Sequence, residues 1–333
     1  MKCPYCQSEV IVKHGKRRLK RTIVQVYKCN TCNKFFADKD VKYKSYDLKT
    51  ILRTISTYNL GYNLEQTKKE MAKRFKIKIP LSTVRSWIKE YLDTCRFIRL
   101  REEALRSFSQ HNMILTQRLQ HKQIYEFKLH RGKLSLQAKE LLERKFQLLK
   151  NYLEFVQTDS FPHHIFTIPD EEVGKRASQL KANLLKVKKL QKQNLANRLA
   201  EFGLILAKTN KERHQAIQNF MLINDSVTIA TEVPVYLTSD DIKYFKSKGF
   251  TFDFENYRTP ITGHIDILQI RNGLIHILDY KPEAEKINAV NQLTIYALAL
   301  ASRTKLAVKD LKCAWFDEKN YYEFFPLHTI YEK

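Results

Sequence analysis

The chain is poor in residues that break regular structure, with eight Gly and eight Pro in 333 residues. It holds no apolar run of about 18 residues, so a membrane-spanning helix and a membrane partner are not expected. Its first residues, Met1-Lys2-Cys3-Pro4, lack the apolar stretch of a secretory signal. Retention in the cytoplasm is the resulting expectation. A Gly-x4-Gly-Lys-Ser/Thr loop is missing, so DNA unwinding driven by a nucleotide triphosphate is not expected of this chain. Acidic residues are scarce beside basic ones, 35 Asp and Glu against 59 Lys and Arg. Cysteine is limited to six residues, four of them in two C-x-x-C pairs, which is metal-site usage and not a disulfide framework. Internal repeats and low-complexity tracts are also missing.

What the chain does hold is unevenly placed. Its hydrophobic share of 43% suffices for packed cores, and its length suggests two or three domains. Residues 1–100 carry 24 Lys and Arg against 8 Asp and Glu, whereas residues 251–333 carry 10 against 11. A surface that is basic only for solubility would not segregate in this way. Cationic side chains that displace condensed counterions supply sequence-independent affinity for nucleic acid, so the front half is read as binding a polyanion. DNA is the expected partner, and a homo-oligomer stays open.

Four regions are expected: a zinc ribbon over 1–40, a helix-turn-helix over 45–95, a helical linker domain over 96–170 and a catalytic domain over 171–333. The cluster Asp159-Ser160-Phe161-Pro162, followed by Pro169-Asp170, marks the main internal boundary. The fold class is therefore multidomain α+β, with a small N-terminal β module, a long helical middle and a C-terminal α/β domain.

Cys3 and Cys6 are followed after 22 residues by Cys29 and Cys32. Two residues between ligands let each pair turn both thiolates toward one ion, and four thiolates close a tetrahedral shell. Such a Zn²⁺ is structural, and its binding drives folding of a segment too small for its own core. An iron–sulfur cluster also takes four thiolates, but paired turns at this distance favour zinc. Between the pairs lie Lys13, His14, Lys16, Arg17, Arg18, Lys20 and Arg21. Arg17, Arg18 and Lys20 are candidate phosphate contacts. The segment from Cys3-Pro4-Tyr5-Cys6 to Cys29-Asn30-Thr31-Cys32 resembles the zinc ribbon at the start of many insertion-sequence transposases.

Downstream, Tyr58–Asn63 separates two helical stretches, and Pro80–Tyr91 reads as a recognition helix. Ser82 is the expected N-cap, with Val84, Trp87, Ile88 and Tyr91 on the core face. Arg85 and Lys89 would then face DNA.

The strongest pattern lies near the C-terminus. Gly263–Ile270 reads as a strand, Asn272-Gly273 as a tight hairpin turn, and Leu274–Lys281 as the return strand ended by Pro282. Residues two apart share a strand face, so Asp279 and Lys281 point together and the hairpin brings Asp266 beside them. Hard carboxylate oxygens suit Mg²⁺ or Mn²⁺, and Lys281 can orient a water or stabilise developing charge.

This combination resembles the RecB-type branch of the PD-(D/E)XK nucleases, in which Gly-x-x-Asp is followed by Asp-Tyr-Lys and then Gln-x-x-x-Tyr on a helix. Here these are Gly263 with Asp266, then Asp279-Tyr280-Lys281, then Gln292 with Tyr296. The resemblance implies a restriction-endonuclease-like domain with a mixed central sheet. It implies a divalent ion held by Asp266, Asp279 and the carbonyl of Tyr280, with Gln292 and Tyr296 bracing the site or meeting the DNA strand. It also implies a Glu on the preceding strand, a place that Glu232 fits, and a metal-binding His on the first helix. His214 is the candidate for the latter, with Glu201 as competitor. The implied activity is Mg²⁺- or Mn²⁺-dependent hydrolysis of DNA phosphodiesters. The rivals are an inactive DNA-binding regulator or mobile-element accessory protein, and an RNA-processing nuclease.

Overall fold

A computed structural model describes residues 3, 6, 8–18, 23–37, 46–121, 123–140, 144–156, 161, 177, 184–186, 189–209, 212–252 and 260–332. Near the N-terminus, β1 (Ile11–Arg18), β2 (Ile23–Cys29) and β3 (Phe35–Ala37) form an antiparallel sheet in that order. Ile11 pairs with Cys29 and Arg18 with Ile23, with a bulge between Lys13 and Lys16. Val24 is the sole buried apolar residue of these strands besides Cys29. A sheet of this size with so little apolar burial needs another source of stability.

Three helices follow. In α1 (Leu48–Asn59) the Asp47 carboxylate accepts from the Thr50 N–H and caps the first turn. For α2 (Leu64–Phe75), Asn63 and Gln66 form a reciprocal capping box, and Lys76 in the left-handed region ends the helix. The turn expected between Tyr58 and Asn63 is therefore present. α3 (Leu81–Glu90) starts one residue before the expected cap: Pro80 precedes it, and Ser82 lies inside the first turn without a capping bond. This helix end is exposed at Pro80 and Ser82, so water can serve the first-turn N–H groups in place of a side-chain cap. Val84 and Trp87 are buried as expected, and Arg85 and Lys89 are exposed.

The middle of the chain holds helices, and also a β-hairpin that the sequence reading missed. After α4 (Arg101–Ser107) come β4 (Ile114–His121) and β5 (Gln123–His130), then α5 (Arg131–Glu140) and α6 (Arg144–Glu154). Tyr125, Phe127 and Leu129 alternate with Glu126 and Lys128, the period of a half-buried strand. Phe127 and Leu129 are fully buried.

The remaining elements are β6 (Leu190–Gln191), α7 (Leu195–Leu206), α8 (Arg213–Asn224), β7 (Thr228–Leu237), α9 (Ser239–Ser247), β8 (Ile261–Arg271), β9 (Leu274–Tyr280), α10 (Val290–Thr304), β10 (Leu311–Phe316), β11 (Tyr321–Phe324) and α11 (Leu327–Ile330). One eight-stranded sheet runs β4-β5-β7-β8-β9-β10-β11-β6. Its β9–β10 pair is parallel and the other pairs are antiparallel, so the sheet is mixed, as expected. Asn272 and Gly273 both take positive φ, 52° and 72°, the primed turn that an Asn-Gly pair supports.

Helices cover both faces of this sheet. On one face α10 packs with α6 and α9, burying Leu293, Ala297 and Leu300 against Leu268 and Ile277. On the other, α7 and α8 bury Leu199, Phe202, Ile217 and Phe220 against Ile267, Leu278 and Phe316. Ile51, Leu52 and Ile55 of α1 enter that same core. A buried bond from Asn59 Nδ2 to Asn224 Oδ1 (2.9 Å) joins α1 to the end of α8. No helix among the described residues is long and apolar enough to cross a membrane.

Candidate active site

Strand register brings three carboxylates together. Thr231 pairs with Ile267 and Val233 with Ile265, so Glu232 stands opposite Asp266. Ile267 pairs with Leu278, so Asp266 stands beside Asp279. Glu232, Asp266 and Asp279 therefore form one row across β7, β8 and β9. Glu232 has φ +51°, a strained conformation for a side-chain-bearing residue in a strand.

Each acid has its own surroundings. Asp266 Oδ2 accepts from the backbone N–H of Tyr280 at 3.2 Å and lies 3.6 Å from His214 Nδ1. Asp279 Oδ2 lies 2.8 Å from Lys281 Nζ in a largely buried ion pair. Glu232 Oε1 accepts from Gln218 Nε2 at 2.6 Å, and Glu232 Oε2 is 3.9 Å from His264 Nδ1.

Crowding splits their proton affinities. Burial, and then the charge of Asp266, push the Asp279 carboxyl well above its usual range, against the pull of Lys281. Burial alone would raise Asp266 too, but hydrogen bonds from His214 and Asp279 outweigh it and hold Asp266 low. The two carboxyls thus titrate as a pair, with Asp279 pushed up and Asp266 held down. Burial and the Asp266 charge push Glu232 up to about 8. Burial would lower the Lys281 ammonium, but Asp279 and Asp266 outweigh it, so it stays charged.

The helix α10 explains the glycine of the pattern. A Cβ on Gly263 would meet Tyr296 Cε1 at 2.2 Å, so the tyrosine ring lies directly on the β8 backbone. Gln292 Nε2 donates to the Tyr296 hydroxyl at 3.0 Å. Both side chains leave one face of α10 beside the acidic row.

The other sequence candidates sort plainly. Glu201 pairs with Arg198 on the exposed side of α7. Arg17 is exposed on β1, Arg18 is described for its backbone in β1, and Lys20 lies outside the described residues. Cys3, Cys6, Cys29 and Cys32 place their Sγ atoms within 4.8 Å of one another, the one such group of three or more among the described residues. Cys3–Cys32 and Cys6–Cys29 are 3.6 and 3.5 Å apart. Thiolates at about 2.3 Å from a tetrahedral ion stand about 3.8 Å from each other, so the group fits one zinc.

Sequence reasoning missed Gln218, His264 and Lys128, and read Tyr125 as a packing residue that could stack a base. Gln218 is four residues after His214 on α8, a same-face spacing that was there to be read. Tyr125 stacks on His264 with ring centroids 4.0 Å apart, and the Lys128 charge acts on Glu232. These two come from the hairpin, whose pairing with β7 no local pattern announces.

A mixed sheet clad by helices on both faces, with an acidic row on three adjacent strands, defines a restriction-endonuclease-like fold. Residues 163–322 match the family model of the PD-(D/E)XK nuclease superfamily. The β4–β5 hairpin lies ahead of the matched span although it belongs to the same sheet. No curated protein and no solved structure matches the chain.

Proposed function

We propose that this protein is a RecB-type, metal-dependent DNA nuclease that binds DNA with its N-terminal third and cuts it at the acidic row. The observation that carries the reading is the juxtaposition of Glu232, Asp266 and Asp279 with the Lys281 ammonium.

Three crowded acids, with Asp279 and Glu232 pushed up by burial and by the Asp266 charge, make a donor set suited to a hard divalent cation. Asp266, Asp279, the Tyr280 carbonyl and His214 would hold it. A bound Mg²⁺ or Mn²⁺ supplies Lewis-acid charge to the phosphate and acidifies a bound water. Asp279, whose carboxyl burial and the Asp266 charge push up, would be held as a carboxylate by such a cation. Lys281, charged and held beside Asp279, orients the attacking water and meets charge developing on the phosphate. Gln218 fixes the Glu232 carboxyl, which can accept a proton near neutral pH. Gln292 and Tyr296 brace the α10 side.

For targeting, the zinc ribbon with Arg17, Arg18 and Lys20, and α2–α3 read as a helix-turn-helix with Arg85 and Lys89 exposed, supply phosphate contacts. The net charge of +24 supports this reading.

The test is cleavage of plasmid and linear DNA with Mg²⁺ or Mn²⁺ by the wild type and by Asp279→Ala and Lys281→Ala proteins. Each variant is expected to lose about a hundredfold or more in rate while keeping its circular dichroism. Cleavage unchanged in both variants defeats the assignment.

A further inference from the structure

Beyond the acidic row lies a cleft of about 530 Å³, lined by Leu204, Ala207, Lys208, Thr209 and Arg213. Leu204 and Ala207 come from the end of α7, and Arg213 opens α8. The next residue on α8 is His214, 3.6 Å from Asp266. The cleft therefore adjoins the acidic row.

Its lining is mainly polar: beside Leu204 and Ala207, Lys208, Thr209 and Arg213 offer two cations and a hydroxyl. That is the chemistry that receives an anionic phosphate.

Arg213 is the informative member. Its Nη2 lies 3.4 Å from the Tyr280 hydroxyl and 3.4 Å from Glu318 Oε1. The Tyr280 hydroxyl in turn donates to Glu318 Oε2 at 3.2 Å. A guanidinium committed to a structural ion pair sits closer, at about 2.7–2.9 Å. Arg303 does so here, 2.5 Å from Asp241. Both Arg213 contacts leave from Nη2, and the Nη1 and Nε edge meets no partner among the described residues. The side chain is 34% exposed. Arg213 is thus aimed but not consumed, with the flat edge that fits two phosphate oxygens turned outward.

We propose that Lys208, Thr209 and Arg213 form a subsite for a phosphate of the bound polynucleotide strand, next to the phosphate held at the acidic row. The proposal rests on the nuclease reading for the identity of that strand. Because His214 and Arg213 both contact Tyr280, one chain of nucleotides can touch both places. The Tyr280–Glu318 pair positions Arg213 and links the subsite to the Asp-Tyr-Lys strand.

The experiment uses the full chain without added divalent cation, so that binding is read apart from cutting. Fluorescence anisotropy of a labelled DNA duplex is measured between 50 and 200 mM salt for the wild type, Arg213→Gln and Arg213→Lys. One lost phosphate contact is expected to make the logarithmic salt slope shallower by about 0.9. Affinity at low salt should fall about tenfold in Arg213→Gln and less in Arg213→Lys. A scan with single neutral methylphosphonates should find one position that weakens wild-type binding and is silent in Arg213→Gln. An unchanged slope and affinity in Arg213→Gln, with every methylphosphonate acting alike on both proteins, would overturn the subsite. Cleavage by the wild type with Mg²⁺ is scored separately. A shifted slope without any cutting keeps the phosphate subsite and removes the nuclease reading, while cutting with an unshifted slope does the reverse.

Discussion

Gly263 has no side chain, and the ring of Tyr296 lies where one would be. The Gly-x-x-Asp spacing is thus a packing requirement of the site: the glycine admits the ring, and the ring closes the α10 side of the acidic row. Gly263→Ala is expected to cost about 1–3 kcal/mol through overpacking, seen as a lower urea midpoint. Combining it with Tyr296→Leu should recover part of the loss, because the colliding atoms are gone. An unchanged midpoint in Gly263→Ala would show that the ring does not sit there. The residues legible at this scale were those whose neighbours are close in sequence. Asp279 and Lys281 are two apart on one strand, and the Asn-Gly turn sets the register that brings Asp266 alongside. Gln218 and Tyr125 act through elements distant in the chain.

Among the elements, the N-terminal sheet carries a four-cysteine cluster that could hold a metal ion. Its described strands bury Val24 and Cys29, too little for a hydrophobic core. Cys3→Ser should remove about one zinc per chain by elemental analysis and collapse the amide dispersion of β1–β3. Full zinc content in that variant would count against the ribbon. The helix α5 offers a second test. Lys133 is fully buried and donates to the carbonyls of Leu222 and Thr228, tying α5 to α8 and β7. Burial lowers its ammonium from 10.5 to about 7, with Asp225 opposing. A base that binds its proton more weakly when folded adds stability above its unfolded value. That stability is lost as pH falls toward the folded value. The unfolding free energy should therefore rise between about pH 7 and pH 10, and Lys133→Met should flatten the rise relative to the wild type. Equal slopes in urea titrations of the two proteins would contradict the buried assignment.

At the scale of the whole molecule, the N-terminal helices share a core with the helices that carry His214 and Arg213. Ile51, Leu52, Ile55 and Trp87 pack with Phe202, Ile217 and Phe220. Burying each large apolar side chain contributes about 1.5–3 kcal/mol, and a typical domain has a net stability of about 5–15 kcal/mol. Removing residues 1–95 should thus abolish cooperative melting and cause aggregation. Removing residues 1–45 should leave melting cooperative while weakening DNA binding and its salt dependence. A cooperative, monodisperse 96–333 fragment would show that this shared core is dispensable.

The sequence by itself determined what short spacings can encode. The paired cysteines, the hairpin around Asn272-Gly273, the Asp-Tyr-Lys strand end and the i, i+4 face of Gln292 and Tyr296 all arise within about thirty residues, where backbone periodicity dictates which side chains meet. The β4–β5 strands were hidden because their Lys, Gln and Glu content suits a surface helix. Burial of Phe127 and Leu129 against the rest of the sheet decided otherwise. Resemblance had offered Glu232 for the row; only the tertiary structure decided that the hairpin sets Tyr125 against His264 and that the cleft below Arg213 opens beside His214. Those meetings depend on which strand pairs with β7 and which helix covers it, and such long-range pairings leave no local periodic trace.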